Sequence, residues 1–149
     1  MTKEVLIGIK GLQMSPEQGS DEVELFVGGE YYFRNNKHYF LYDEVVEGTT
    51  ETTRNVVKVA PDYMEVTKKG VTNAHMIFEK NKKNVTYYYT PFGSILVGIE
   101  AGKVNVNEQE EEIQIDVDYV LDMNYEKVAD CNIHMVVKPK GNKDFTLAN

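Results

Sequence analysis

The chain has 149 residues, of which 42% are hydrophobic and 27% are charged. This is ordinary for a globular protein, so we expect one domain over residues 1–149 and exclude general disorder, collagen-like repeats and disulfide mini-proteins. Sixteen basic and twenty-four acidic residues give a net charge of −8. Nucleic-acid binding is therefore not expected, because neutralising phosphates needs an excess of cations.

The cysteine content and the apolar runs bear on the compartment. Cys131 is the one cysteine of the sequence, so no disulfide can form within the chain, which suits a reducing compartment. No apolar run approaches the roughly 18 residues of a membrane-spanning helix, and the first apolar stretch is too short for a signal peptide. The sequence predicts a cytoplasmic protein that does not contact a membrane.

In chain order, most segments alternate between apolar and polar residues with a period of two, which is typical of β-strands with one face on a core. Asparagine, glycine and proline separate these segments and predict short turns. Gly102 is expected to bend a long strand. The predicted strands cover residues 5–9, 23–34, 37–46, 52–59, 63–69, 74–79, 85–90, 94–100, 113–125 and 129–137.

Many consecutive strands with short connections favour closure, because a closed sheet has no unpaired edges. The sequence thus predicts an all-β fold, a closed antiparallel up-and-down barrel of about eight to ten strands. A two-sheet sandwich is the alternative, but it needs longer crossovers. The polar residues 14–21 can cover one mouth as a lid. The predicted inward residues are Val23, Leu25, Val27, Ile113, Ile115, Val117, Leu121, Ile133, Met135 and Val137.

One candidate site combines a carboxylate, an ammonium group and a tyrosine. Tyr42 and Glu44 share a strand face with Phe40, and Lys68 shares one with Met64 and Val66. If both faces point inward, Glu44 and Lys68 can form a buried pair beside Tyr42, because an unpaired buried charge is costly. With the opposite parity, Tyr39, Leu41 and Val45 face the core and Glu44 lies in water. The pattern leaves both alternatives open.

Tyrosines form the second feature, since residues 87–89 are consecutive and ten occur in the chain. Neighbours on a strand face opposite sides, so Tyr88 points away from Tyr87 and Tyr89. Ordinary packing and surface cover explain such tyrosines. The alternative is a cavity in which the hydroxyl of Tyr88 contacts a ligand.

Metal sites and catalytic sets are not visible in the sequence. His38, His75 and His134 fall on different predicted strands, without the paired spacing of a zinc site. Cys131 shares the parity of core residues, which favours a structural thiol over a nucleophile. We therefore expect no cofactor, and enzyme activity has the least support of the functions considered.

Several short motifs resemble a known family. They are Gly29-Glu30-Tyr31-Tyr32, Phe40-x-Tyr42-x-Glu44, Lys68-x-Gly70 and Tyr88-x-Thr90-Pro91-x-Gly93. Together they resemble the YwiB-like family of small bacterial proteins of unknown function. The resemblance implies a calycin-type barrel, similar to lipocalins and fatty-acid-binding proteins. The chain departs from the family pattern at Lys68, where arginine is usual. The resemblance implies no reaction or ligand.

Two functions follow as hypotheses. The first is a barrel that binds a small amphipathic or apolar ligand inside, with Tyr42, Glu44, Lys68 and Tyr88 as polar contacts. The second is a structural or protein-interaction module with a filled barrel. The charges are uneven, with acids concentrated in residues 108–126 and bases in residues 54–83. This distribution also leaves open association with a second copy as a homodimer.

Overall fold

The computed structural model describes residues 3–11, 24–45, 48–70, 73–90 and 92–141, which form ten β-strands and no helix. The described parts of the period-two segments fall within these strands, because alternating side chains suit a sheet with one buried face. The exception is the end of segment 113–125, where Asn124 and Tyr125 form a turn. The strands are β1 Glu4–Lys10, β2 Glu24–Arg34, β3 Lys37–Val45, β4 Thr52–Ala60, β5 Tyr63–Gly70, β6 Ala74–Glu79, β7 Lys82–Thr90, β8 Gly93–Gln109, β9 Glu112–Met123 and β10 Glu126–Pro139.

The sheet is an antiparallel meander that closes on itself. Its strand order is β6-β5-β4-β3-β2-β1-β10-β9-β8-β7, so the first and last strands of the chain pair with each other. At the remaining seam, β6 and β7 share no ladder within the described residues. A bridge between Lys80 and Ala101 joins the ends there, and the Asn81 amide donates to the Ala101 carbonyl at 2.8 Å. The predicted up-and-down barrel is confirmed, in a nearly closed form.

Positive φ angles mark the tight turns between strands. Asn35 and Asn36 have φ values of 53° and 62°, the pattern of a type I′ hairpin turn. Asn124 and Tyr125 repeat it after β9, with φ values of 50° and 71°. Asparagine tolerates this left-handed region, whereas tyrosine rarely adopts it.

β8 is a single strand of 17 residues and is longer than predicted. Its register with β9 shifts between Ala101 and Lys103, so a bulge lies at Gly102 where the sequence predicts a bend. The extra residue at the bulge shifts the alternation by one position. Ala101 and Val104 therefore both face inward, and both are buried.

The interior faces follow the predicted parity. The seven predicted core residues on β9 and β10 are buried, and Leu25 and Val27 are half-buried against the core. Val23 and the predicted lid at residues 14–21 lie outside the described residues. The seven buried residues are Ile113, Ile115, Val117, Leu121, Ile133, Met135 and Val137.

Large side chains fill the middle of the barrel. Phe40, Met64 and Phe78 have no exposed surface, so no water-sized space adjoins them. The rings of Phe78 on β6 and Tyr119 on β9 meet edge to face at 4.9 Å. Because β6 and β9 are not neighbours in the sheet, this contact crosses the interior. The middle of the barrel is therefore packed side chains.

Leu121 and Asp118 lie on opposite faces of β9 and test which of these faces points inward. Leu121→Ala removes buried methyl groups and leaves a cavity, so we expect a loss of about 2–5 kcal/mol in unfolding free energy. Asp118 is exposed, and Asp118→Ala should change the same quantity by less than about 0.5 kcal/mol. Urea unfolding of both variants measures the difference. Equal losses would show that the parity of β9 is wrong.

Candidate functional site

The structure shows which face of β3 points into the barrel. Phe40 and Tyr42 are buried, with exposures of 0% and 2%, whereas Val45 is 68% exposed. Glu44 continues the inward face of Phe40 and Tyr42 because side chains alternate along a strand. The alternative, with Tyr39, Leu41 and Val45 inside, is wrong.

A hydrogen-bonded polar cluster, defined as Glu44, Asn55 and Lys68, joins β3, β4 and β5. The Lys68 Nζ atom is 2.6 Å from Glu44 Oε1 and 2.7 Å from Asn55 Oδ1. The Asn55 Nδ2 atom donates to Glu44 Oε1 at 2.9 Å and to the Thr53 carbonyl at 3.2 Å. Each member of the polar cluster thus contacts the other two.

Because the polar cluster is largely buried, its polar groups need these hydrogen bonds in place of bonds to water. Asn55 is fully buried, and the Lys68 and Glu44 side chains are 11% and 35% exposed. Removing charges from water is costly, and their attraction compensates only when hydrogen bonds complete the arrangement. Asn55 completes it in one amide orientation, with its oxygen toward the ammonium and its nitrogen toward the carboxylate.

The polar cluster keeps unused hydrogen-bonding capacity. The Lys68 ammonium has three N–H groups, and two of them serve Glu44 and Asn55. Glu44 Oε1 accepts both contacts, while Glu44 Oε2 has no hydrogen-bond partner in the part of the chain that the structure describes. One donor and one carboxylate oxygen are therefore available to a ligand.

Tyr42 adds a neutral hydroxyl beside the polar cluster. Burial raises the pKa of Tyr42 well above its usual value, and the nearby Glu44 carboxylate raises this pKa further. Among the described residues, no hydrogen bond engages its hydroxyl. Tyr42 therefore stays protonated and can donate to or accept from a ligand.

Tyr88 lies at the same mouth of the barrel but apart from the other three candidates. It faces inward from β7 and packs, half-buried, against the core. β3, β5 and β7 run in the same direction around the meander, so Tyr88 lies at the end that holds Glu44 and Lys68. No hydrogen bond joins Tyr88 to the polar cluster within the described ranges.

Sequence reasoning missed Asn55. A polar residue in a strand is ordinarily assigned to the solvent face, so the residue type of Asn55 does not indicate an inward position. The signal was available, because Asn55 shares the parity of Val57 and Val59, which are both fully buried. A polar residue in an otherwise apolar face indicates a buried hydrogen-bonded position.

A cleft of about 620 Å³ opens the barrel wall beside Tyr42. The ladder between β2 and β3 ends at Glu30 and Leu41, and the strands separate beyond that point. Gly29 is required there, because a Cβ atom would lie 2.5 Å from the Leu41 carbonyl oxygen. Gly29 therefore marks a close approach of β2 to β3 at the end of their ladder, and the glycine pair is not a phosphate loop.

The opposite mouth contains a buried histidine. His38 is 6% exposed, its Nδ1 atom lies 2.8 Å from the Tyr31 hydroxyl, and its Nε2 atom lies 3.6 Å from Glu108 Oε1. β3 and β8 are far apart in the sheet order, so the Glu108 contact crosses the mouth. Burial lowers the pKa of His38, and Glu108 opposes this only in part.

The other histidines and the cysteine lie apart from one another in the described part of the chain. His75 pairs with Glu65, and His134 Nδ1 lies 2.8 Å from Asp116 Oδ1. Burial raises the pKa of the Cys131 thiol, which disfavours the reactive thiolate. The described residues hold no group of three or more His, Cys, Asp or Glu that could bind a metal ion. None of them forms a helix that is long and apolar enough to cross a membrane.

Comparison with known proteins identifies the family. A family model described as a domain of unknown function, DUF1934, matches residues 7–135. The chain belongs to the DUF1934 family. The crystal structure of the YwiB protein from Bacillus subtilis matches with a TM-score of 0.73 and 20% identity over 92% of each chain. This likeness shows a shared fold and confirms the YwiB-like resemblance. A search of curated proteins found no match.

Glu44 and Lys68 can be tested as an energetic pair. Glu44→Ala leaves the Lys68 ammonium without its counterion, which costs roughly 3–5 kcal/mol in a fully buried site. Glu44 is partly exposed, so we expect a smaller loss of unfolding free energy. Adding Lys68→Met should recover much of that loss, because an apolar pair can replace a buried ion pair. Urea unfolding of the double-mutant cycle measures the coupling, and purely additive effects would contradict the pair.

His38 makes stability depend on pH. Its pKa is lower in the folded protein than the value of about 6.5 for the unfolded chain, so acidification protonates the unfolded chain first. Folded-state stability is therefore lost as the pH falls through the unfolded value. We expect urea unfolding at pH 7.5 and 5.5 to show a larger loss for the wild type than for His38→Gln. An equal or larger loss in His38→Gln would contradict this assignment.

Proposed function

We propose that the protein binds a small amphipathic molecule at the barrel mouth where β3, β5 and β7 end. The observation that carries this proposal is the polar cluster of Glu44, Asn55 and Lys68, held by hydrogen bonds inside an apolar barrel. Apolar side chains of similar volume often give equal or greater stability than a buried ion pair. Folding therefore does not require these charges, and recognition of a polar ligand group gives them a role.

The unused hydrogen-bonding groups indicate the chemistry of the ligand's polar end. Lys68 has one N–H to donate and Glu44 has one oxygen to accept, with the Tyr42 hydroxyl beside them. The Lys68 and Glu44 charges cancel, so they favour neither a free anion nor a free cation. An uncharged headgroup that both donates and accepts, such as an alcohol or an amide, fits this set.

Apolar contacts at the same mouth support an apolar tail. Tyr88, Ile95 and Met123 face inward, are half-buried and pack against the core, so part of their surface remains open to a ligand. Below them the filled core supplies a floor. The tail therefore lies across the top of the core and does not run through the barrel, which restricts the ligand to a small molecule.

The cleft between β2 and β3 supports an access route from the side. It reaches Tyr42 at the strand edge, two residues before Glu44 on the same strand. The cleft is open beside Gly28, where a Cβ atom would meet nothing within 4 Å. A ligand can approach as far as Tyr42 through this cleft without unfolding a paired part of the sheet, and the polar cluster lies beyond it.

The alternative function is a structural or protein-interaction module. The fully buried residues in the middle of the barrel favour it, since a filled interior leaves the outer surface as the functional part. Under both proposals the protein resides in the cytoplasm. The half-buried Cys131 supports that location, because a lone reduced thiol suits a reducing compartment.

Ligand binding can be measured as thermal stabilisation by decan-1-ol, decanamide, decanoate and decylamine. These probes share a chain length and differ in headgroup. A ligand that binds only the folded state adds about 2.7 kcal/mol at 100 times its Kd. We expect the alcohol or the amide to raise the Tm most, because these headgroups both donate and accept.

Neighbouring residues provide matched control variants. Lys68→Met and Tyr88→Phe change inward residues, whereas Lys69→Met and Tyr87→Phe change their outward neighbours. The Tm increase should fall in the first two variants and persist in the controls. A wild-type Tm that none of the four probes changes, together with a native mass spectrum free of copurified small molecules, would refute ligand binding and favour the filled-barrel module.

A further inference from the structure

The outer wall of the barrel carries an exposed apolar surface, here called the tyrosine patch and defined as Val85, Tyr87, Tyr89, Leu96 and Tyr125. Tyr87, Tyr89 and Tyr125 are 60%, 75% and 84% exposed. The rings of Tyr87 and Tyr89 stack with their centroids 6.4 Å apart. Because alternate residues of β7 face outward, this surface lies on the opposite side of the sheet from Tyr88.

A groove of about 270 Å³ runs through the tyrosine patch between Val85, Leu96 and Tyr125. Gly98 also lines it, and a Cβ atom there would approach Lys83 Cε to 3.0 Å and Asp122 Cβ to 3.3 Å. The absence of a side chain at Gly98 thus makes room for the Lys83–Asp122 ion pair that borders the groove. Its apolar walls suit an aromatic side chain.

Tyr125 occupies an unfavourable backbone position. Six non-glycine residues in the described ranges have positive φ angles, and the other five are asparagine or aspartate. Those residues tolerate the left-handed region, whereas a tyrosine there is strained. The Tyr125 side chain is also mostly exposed, so packing within the monomer does not compensate for this strain. Strain of this kind points to a role outside the monomer.

We infer that the tyrosine patch is the contact surface of a homodimer, in which aromatic side chains of each copy enter the groove of the other. A two-fold axis makes such an interface self-complementary, because the patch supplies both the projecting rings and the groove. The observations behind this inference do not depend on whether a ligand binds at the mouth.

The exposed apolar area of the tyrosine patch supports a second copy of the chain as its partner. An aromatic side chain buries roughly 150–250 Å², so the three tyrosines offer on the order of 400 Å² per copy. A stable interface buries about 800 Å² per partner. The tyrosines alone thus supply about half of that area, and Val85, Leu96 and the surrounding backbone add to it.

Charge also permits contact at this surface. Each copy carries a net charge of −8, so two copies repel each other when they meet through other parts of their surfaces. At the rim of the groove, Lys83 and Asp122 form an ion pair and neutralise each other. The groove rim therefore adds no net charge to the contact. The remaining repulsion includes that between the exposed Glu126 carboxylates beside Tyr125, so salt should strengthen the dimer by screening it.

Sedimentation velocity over a wide range of concentrations, at low and high NaCl, tests this inference on the full chain. We expect the wild type to shift from monomer to dimer with concentration, and at lower concentration in high salt. Tyr125→Asn and Tyr89→Ser should each weaken the dimer about tenfold or more, as expected for interface aromatic residues. Val45→Ser is the control, since Val45 is 68% exposed and lies outside the patch.

Tyr125→Asn separates the interface from folding. Asparagine tolerates the left-handed turn, so this variant should lose the dimer at high concentration. At a low concentration, where the wild type is also monomeric and dimer formation adds no stability, it should unfold at the same or a higher temperature than the wild type. A wild type that stays monomeric at every concentration overturns the inference. Dimers of unchanged affinity in Tyr125→Asn and Tyr89→Ser also overturn it.

Discussion

The pairing of β1 with β10 is the constraint on which the barrel depends. It joins the first and last strands of the chain through a ladder from Val5–Pro139 to Lys10–His134. Closure gives every strand an inside and an outside, so a shift of one residue would place a whole apolar face in water. Closure also constrains polar groups. A carboxylate or ammonium group that faces inward must find its hydrogen-bond partners within the barrel.

The polar cluster shows how this requirement is met. Lys68 and Glu44 lie on β5 and β3, with β4 between them, so their side chains meet above the intervening strand. Asn55, on that strand, fills the space with an amide that matches both charges. An apolar residue at this position would leave each charge with fewer hydrogen bonds. Asn55 is therefore the residue that makes the ion pair compatible with burial.

The sequence predicts the fold better than the site, for physical reasons. Alternation along β9 and β10 is nearly complete, so the period of two defines their faces. β3 is different, because Phe40 and Tyr42 alternate with Tyr39 and Leu41, and both faces are apolar. Only the tertiary structure decides which face is inward, and the placement of Glu44 depends on that decision. The strain at Tyr125 is likewise a property of backbone geometry that residue types alone do not show.

β7 links the two proposed surfaces. Tyr88 faces the barrel mouth, while Tyr87 and Tyr89 face outward on the tyrosine patch. On one side β7 pairs with β8, whereas on the other it shares no ladder with β6 in the described part of the chain. A strand held along one edge can change position more easily than a strand held along both. Coupling between two sites requires an element that both contact, and its free energy acts equally in both directions. β7 contacts both proposed surfaces, so it is the element through which ligand binding at the mouth and association at the tyrosine patch would be coupled.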